Sequence, residues 1–306
     1  MKIIRTLEEI REFKNNTGIA LGTFDGFHIG HQKVILNLMK EAKDKSLETV
    51  LFTFKNHPRE IINRSLVVPN IITFEEKIKI ASDMGIDYLI IIDFDNEFMN
   101  IDPRRFIEEI LIKKLKVKLL SVGYNYKFGK NASGDVRLLK LYNSFFESIV
   151  IEAVYYKELN VSSTLIRKLI KEGNVERVNH LLGREYKLQG EVVVGKKVGR
   201  KLGFPTANLE VDNSMCKLKA GVYITKTFIN DVEYKSVTNV GVNPTFNQTN
   251  FNVETYILDF DKNVYGENIE VSFLKYIRGE IKFSSIDLLI DEIKKDVIYA
   301  KEYFEK

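Results

Sequence analysis

Two histidines, His28 and His31, stand three residues apart in the string Gly22-Thr-Phe-Asp-Gly-Phe-His-Ile-Gly-His31. Gly22, Gly26 and Gly30 let backbone approach a ligand closely, and a helix beginning here aims unpaired N–H groups at an anion. Two imidazoles beside that positive end can donate hydrogen bonds to a phosphate whose charge grows in a transition state. A second string, Val161-Ser-Ser-Thr-Leu-Ile-Arg167, places Ser162 and Ser163 at a helix start and Arg167 one turn further in. From there the guanidinium fork can grip a phosphate with two prongs. The third is Gly199-Arg-Lys-Leu-Gly-Phe-Pro-Thr-Ala-Asn208, inside a basic, glycine-rich loop running from Gly195 to Gly203. Its amides can wrap phosphate, while Thr206 and Asn208, two apart on one strand face, offer hard oxygens to Mg²⁺. Taken alone, the same loop also reads as a flexible hairpin beside an edge strand.

These strings need elements to hold them. In the first half, apolar runs at 18–24, 48–54, 86–94, 117–123 and 148–156 predict strands. Amphipathic stretches at 30–45, 74–84, 103–115 and 135–145 predict helices between them. Thr73 and Glu76 have capping-box spacing, and Asp102-Pro103 pairs an N-cap with proline at the first helical position. Strand–helix alternation implies a mainly parallel, doubly wound sheet that binds ligands at the carboxyl ends of its strands. The chemistry is therefore expected just after Phe24, Phe54 or Gly123. Short helices follow at 163–171 and 175–182. Beyond Gly183 the pattern changes to six strands, at 186–195, 204–211, 221–229, 232–241, 252–260 and 269–278. Strands in that number without intervening helices predict a closed antiparallel barrel. A last helix at 285–304 carries Leu288, Leu289, Ile293, Val297 and Ala300 near one face. The expected domains are 1–183 and 184–306.

A chain of 306 residues has room for two such domains, and 44% hydrophobic with 29% charged residues excludes general disorder. The longest apolar run, at 88–92, is far short of a bilayer span, and the N-terminus turns acidic before any signal core forms. A single cysteine, Cys216, excludes an internal disulfide and a cysteine zinc site. A cytoplasmic place is expected. The formal charge of +4 is mild, and with no clustered aromatic–basic face neither nucleic acid nor membrane is expected as a partner. Oligomeric state stays open.

The His28–His31 string resembles the nucleotide-binding signature of the nucleotidyltransferase superfamily. With Ser162-Ser-Thr-Leu-Ile-Arg167, Val122-Gly-Tyr-Asn-Tyr-Lys-Phe-Gly129 and Phe52-Thr-Phe-Lys-Asn-His-Pro58, the first half resembles bacterial FAD synthetase. That likeness implies a Rossmann-like domain. It implies ATP contacts at Gly22, Phe24, Asp25, Gly26, Gly30, Ser162, Ser163 and Thr164, catalytic contacts at His28, His31 and Arg167, and flavin contacts at Phe54, Pro58, Asn125 and Phe128. The Gly199–Asn208 string is similar to the signature of riboflavin kinases. Gly221-Val-Tyr, Asn239-Val-Gly-Val-Asn-Pro-Thr-Phe246, Val253-Glu-Thr255 and Arg278-Gly-Glu-Ile-Lys-Phe283 follow in that family's order. This second likeness implies ATP contacts at Gly195, Gly199, Lys201, Gly203, Pro205 and Asn239, Mg²⁺ at Thr206 and Asn208, a flavin contact at Arg278, and Glu254 as catalytic base. Together they imply the bifunctional family that turns riboflavin and ATP into FMN, then FMN and ATP into FAD and pyrophosphate. The alternatives are an enzyme with one degenerate half, or a nucleotidyltransferase carrying a flavin-sensing or RNA-binding barrel.

Overall fold

The N-terminal sheet consists of β1 (Lys2–Ile4), β2 (Thr17–Leu21), β3 (Glu48–Phe54), β4 (Tyr88–Ile92), β5 (Val117–Gly123) and β6 (Glu147–Ile151). They lie in the order β1-β4-β3-β2-β5-β6, and every neighbouring pair is parallel. The computed structural model describes residues 1–63, 65–195, 198–245 and 248–305, with the side chains of 198, 201 and 242–250 outside the description. All five residues of β2 are buried, as in a parallel strand covered on both faces. The chain leaves β2 for β3 and β4 on one side and returns to β5 on the other. The carboxyl ends of β2 and β5 therefore flank the topological switch point where such sheets bind ligands.

Helix α1 (Ile29–Asp44) covers the sheet with Val34, Ile35, Leu38 and Ala42, all buried. Helix α2 (Phe74–Asp83) begins at Thr73, whose hydroxyl accepts from the Glu76 N–H at 3.1 Å, as the capping spacing predicts. The stretch expected as one helix at 103–115 opens with a turn at Pro103–Arg105 and widens to a π-type helix over Phe106–Lys114. Its end shows the wider winding: the Leu115 N–H bonds back five residues to the Ile110 carbonyl at 2.9 Å. The run expected as one strand at 148–156 stops at Ile151; Tyr155–Tyr156 instead pairs with Leu159–Asn160 in a separate ribbon.

The chain divides into two compact units, Met1–Ser163 and Thr164–Lys306. In the second unit, β7 (Tyr186–Val193), β8 (Thr206–Val211), β9 (Gly221–Ile229), β10 (Val232–Thr245), β11 (Gln248–Ile257) and β12 (Asn268–Arg278) close into an antiparallel barrel, in the order β7-β8-β11-β10-β9-β12. Its interior is partly polar. Thr225, Thr227, Ser236, Thr238 and Thr255 are fully buried and satisfy one another through hydroxyl–hydroxyl bonds, which removes the penalty of burying them singly. Tyr186, Tyr223 and Phe273 are among its largest fully buried side chains.

Helices α3 (Ser163–Glu172) and α4 (Val175–Leu182) precede the barrel. Asn179 on α4 donates to the Phe273 carbonyl at 2.8 Å and accepts from the Tyr186 N–H at 2.7 Å, tying that helix to β12 and β7. The terminal helix α5 (Ile286–Phe304) packs Val297 and Ala300 on the barrel exterior over Val222, Ile224, Val237 and Leu274. Of the five residues expected on its apolar face, Leu288 departs, at 53% exposed. Arg278, at the end of β12, clasps α5 through a two-pronged pair with Asp296, at 3.0 and 2.7 Å.

Candidate active sites

The loop after β2 is strained and pinned at once. Phe24 and Phe27 have positive φ, 42° and 43°, yet both rings are fully buried, so packing holds a backbone that L-residues resist. Between them Gly26 has φ 79°, and a Cβ there would meet Ile71 at 3.0 Å, so glycine is required. Asp25 is buried; its carboxylate accepts from the Ile71 N–H at 3.5 Å, and its carbonyl accepts from the Ser163 hydroxyl at 2.9 Å. Strain concentrated in one loop at a switch point is the signature of a preorganised ligand clamp.

His28 caps α1: its Nδ1 accepts from the His31 N–H at 3.2 Å. The two imidazoles stack with centroids 3.6 Å apart, and Phe24 meets the His31 ring edge-on at 5.3 Å. Burial, and then the nearby charges of His28 and Lys77, hold His31 well below the ordinary imidazole range. Among the described residues the buried Nδ1 of His31 has no hydrogen-bond partner. An orphaned buried ring nitrogen at a helix N-terminus fits a polyphosphate supplied by substrate.

That burial carries a stability signature. Unfolded His31 takes up a proton below its ordinary pKa, whereas the folded ring does not. The folded state therefore loses ground as pH falls below about 6.5, by up to about 1.4 kcal/mol per pH unit. Urea unfolding of the wild type and His31→Gln at pH 7.5 and 5 checks this. The variant is expected to lose less stability than the wild type between the two; equal losses would contradict a neutral buried ring.

The expected sheet-domain residues divide as follows. Gly22, Phe24, Asp25, Gly26, His28, Gly30, His31 and Ser163 gather around the end of β2 and the start of α1, with Ser162 adjoining. Phe54 ends β3, half-buried against Phe94 and Phe98 at 5.1 and 5.2 Å. Pro58 opens a short helix, Pro58–Ile62, capped by His57. Beyond β5, Asn125 is exposed, whereas Phe128 is 8% exposed, stacked on Tyr126 at 5.6 Å and packed on Gly134, which places its ring in the core. Thr164 and Arg167 sit on α3 in the second unit. The residue that sequence reasoning missed is Lys77. Its signal was present: on α2, Phe74, Lys77 and Ala81 share the i, i+3, i+7 positions of an inward face, so a lysine interrupts an apolar stripe.

The barrel holds a second constellation. Asn208 on β8, Glu254 on β11 and Asn239 on β10 lie directly opposite one another across three adjacent strands, on one face. Thr206, two residues before Asn208, approaches the Glu254 carboxylate at 3.5 Å, and Asn252 donates to the other Glu254 oxygen at 2.5 Å. Asn208 lies against Gly195: a Cβ there would be 2.6 Å from the Asn208 amide carbon, so only glycine lets the strap pass so closely. The Gly199 carbonyl accepts from Leu202 and Phe204 N–H groups, which curls the loop back through Gly203 to Pro205. A cleft of ≈ 280 Å³ opens here, lined among others by Gly195, Arg200, Pro205, Thr206, Asn208 and Tyr265. The Lys201 side chain lies outside the described residues. Arg278 gives its fork to Asp296 and its remaining nitrogen to the Gly279 carbonyl.

Comparison with known proteins matches this division. Residues 10–165 fit the FAD synthetase family model, and residues 182–304 fit that of riboflavin kinase. The bifunctional riboflavin kinase/FMN adenylyltransferase of Buchnera aphidicola subsp. Schizaphis graminum is 36% identical over 311 residues, covering 99% of each chain. The protein of that name from Bacillus subtilis is 34% identical over 300 residues, covering 96% of this chain and 95% of its own. A crystal structure described as a macrolide-efflux protein from Streptococcus pneumoniae superposes with a TM-score of 0.92 at 30% identity, covering 98% of both chains. Among the described residues no helix is long and apolar enough to cross a membrane.

A nucleotidyltransferase sheet followed by a riboflavin-kinase barrel defines a class of two-headed ATP-using transferases. Within that class, the chain belongs to the bifunctional riboflavin kinase/FMN adenylyltransferase family.

Proposed function

We propose that the two reactions divide between the two constellations, with functional domains at 1–183 and 184–306. The chain makes FAD in two steps: it phosphorylates riboflavin to FMN, then adenylylates FMN with release of pyrophosphate. The observation that carries the division is that the Glu254 carboxylate stands beside Thr206 in one compact unit while the stacked histidines belong to the other.

In the first step the riboflavin 5′-hydroxyl oxygen attacks the γ-phosphorus of ATP, and the bond to the ADP oxygen breaks. The hydroxyl proton goes to Glu254, the carboxylate base. Gly195, Gly199, Lys201, Gly203, Pro205 and Asn239 hold the nucleotide, and Arg278 acts on the flavin through the position of α5. A hydroxyl, an amide oxygen and a neighbouring carboxylate are a hard-oxygen set that fits Mg²⁺, which Thr206 and Asn208 would hold. When bound, that ion would supply positive charge to offset the charge on the transferred group. In the second step an FMN phosphate oxygen attacks the α-phosphorus and pyrophosphate leaves. That oxygen is already ionised, so alignment and charge stabilisation suffice. His28, His31, Ser162, Ser163, Thr164 and Arg167 serve them, with Phe54, Pro58 and Asn125 on the flavin side; the Phe128 ring, expected there too, is taken up by the core.

The test is a time course with riboflavin, ATP and Mg²⁺. FMN is expected to rise first and FAD to follow, with pyrophosphate equal to FAD. FMN accumulating without FAD would leave the barrel alone active. No flavin phosphorylation would turn the barrel into a binding module.

A further inference from the structure

Lys77 is an unfavourably placed charge in the first unit. It is 8% exposed, and it sits in the first turn of α2, at the positive end of the helix. It also lies close enough to the two histidines to depress His31. Burial brings its own pKa down to about 8, with Asp25 the partner that holds it up. An apolar side chain of similar volume would pack there without these costs.

What the ammonium does is bridge two strand ends. Its Nζ donates to the Phe54 carbonyl at 2.9 Å, at the last residue of β3, and reaches the Thr23 carbonyl at 3.4 Å, just beyond β2. Thr53 reinforces the same junction, its hydroxyl donating to the Thr23 carbonyl at 2.9 Å. Two of the three ammonium protons are used in this way. The strained Phe24–Phe27 loop springs from Thr23, so the clamp sets where that loop begins. The lysine's charge reaches the stacked imidazoles, where, with that of His28, it helps to hold His31 neutral.

We propose that Lys77 is a positioning residue for adenylyl transfer: its buried ammonium locks the ends of β2 and β3 together and directs a fixed positive field at the polyphosphate. This rests on the assignment of nucleotide chemistry to the sheet. Asp25, His28 and His31 face the site from the β2 loop and α1. Lys55 and Arg5 flank Phe74 at the start of α2, where Glu75 and Glu76 also lie.

The experiment uses the full-length chain with Lys77→Met and Lys77→Arg, following FMN-to-FAD and riboflavin-to-FMN conversion separately. Lys77→Met is expected to lower kcat/KM of the adenylyl step by about 10²-fold, on the scale of losing one preorganised electrostatic donor, with kinase turnover unchanged within about twofold. Lys77→Arg, which restores charge, is expected to recover most of that loss. The pH profile adds a readout that a packing role would not move. Wild-type adenylyl kcat/KM falls above about pH 8 as the free ammonium deprotonates, and Lys77→Arg removes that fall. If Lys77→Met fails to fold, this comparison decides. Equal adenylyl rates in wild type and Lys77→Met, or an alkaline fall that persists in Lys77→Arg, would overturn the proposal. A wild type that makes no FAD at all would instead overturn the assignment of the sheet.

Discussion

Glu254→Gln is expected to lower riboflavin phosphorylation by about 10²–10⁴-fold, the range a positioned general base contributes, while conversion of added FMN to FAD stays at the wild-type rate. The substitution keeps the shape of the side chain and its acceptor toward Asn252, so β11 has no reason to shift. What disappears is the carboxylate oxygen that receives the 5′-hydroxyl proton. Glu254 sits between Asn208 and Asn239 on adjacent strands, and neither amide can take that proton at neutral pH. The measurement is flavin phosphate formed per unit time from riboflavin, with a parallel assay from FMN. Retained phosphorylation would remove Glu254 from the mechanism and leave transfer to alignment and metal alone. A matching fall in FAD formation from added FMN would break the separation of the sites.

Several elements were legible to the residue in the sequence: Glu48–Phe54, Val117–Gly123, Val175–Leu182 and Gly221–Ile229 lie where apolar runs meet turn or capping residues. Burial on both faces makes a parallel strand a continuous apolar block, and such a block has sharp ends. The closed barrel was legible from strand count, since six consecutive strands have few ways to avoid exposed edges. Other features left weaker traces. β1 is three residues long, too short for any period to show. The hydroxyls of Thr225, Thr227 and Ser236 point inward and read as a solvent face, because a mutually satisfied polar cluster has no sequence signature distinct from exposure. The motif strings were legible because backbone chemistry and side-chain chemistry fall close together in them. Lys77 left only the trace of a lysine in an apolar stripe, since its partners are carbonyls 54 and 23 residues away and carry no residue identity.

His28→Ala and His31→Ala are each expected to lower the adenylyl step by about 10²–10³-fold, in line with loss of one oxyanion-type donor, with flavin phosphorylation unaffected. The two variants should differ in kind. His28 is a helix cap as well as a donor, its Nδ1 holding the His31 N–H, so His28→Ala also loses capping stability, typically about 1 kcal/mol. His28→Asn keeps a capping acceptor and separates the two effects: stability should return while turnover does not. His31 caps nothing, and its loss leaves α1 intact while removing the ring edge that Phe24 packs against. Double substitution should cost less than the sum of the single losses, because rings stacked at 3.6 Å act on the phosphate as one unit. Steady-state kinetics with FMN and ATP, alongside thermal unfolding of each variant, reads all of these together. Strict additivity would mean that the two imidazoles meet different phosphates and that their stacking has no part in the chemistry.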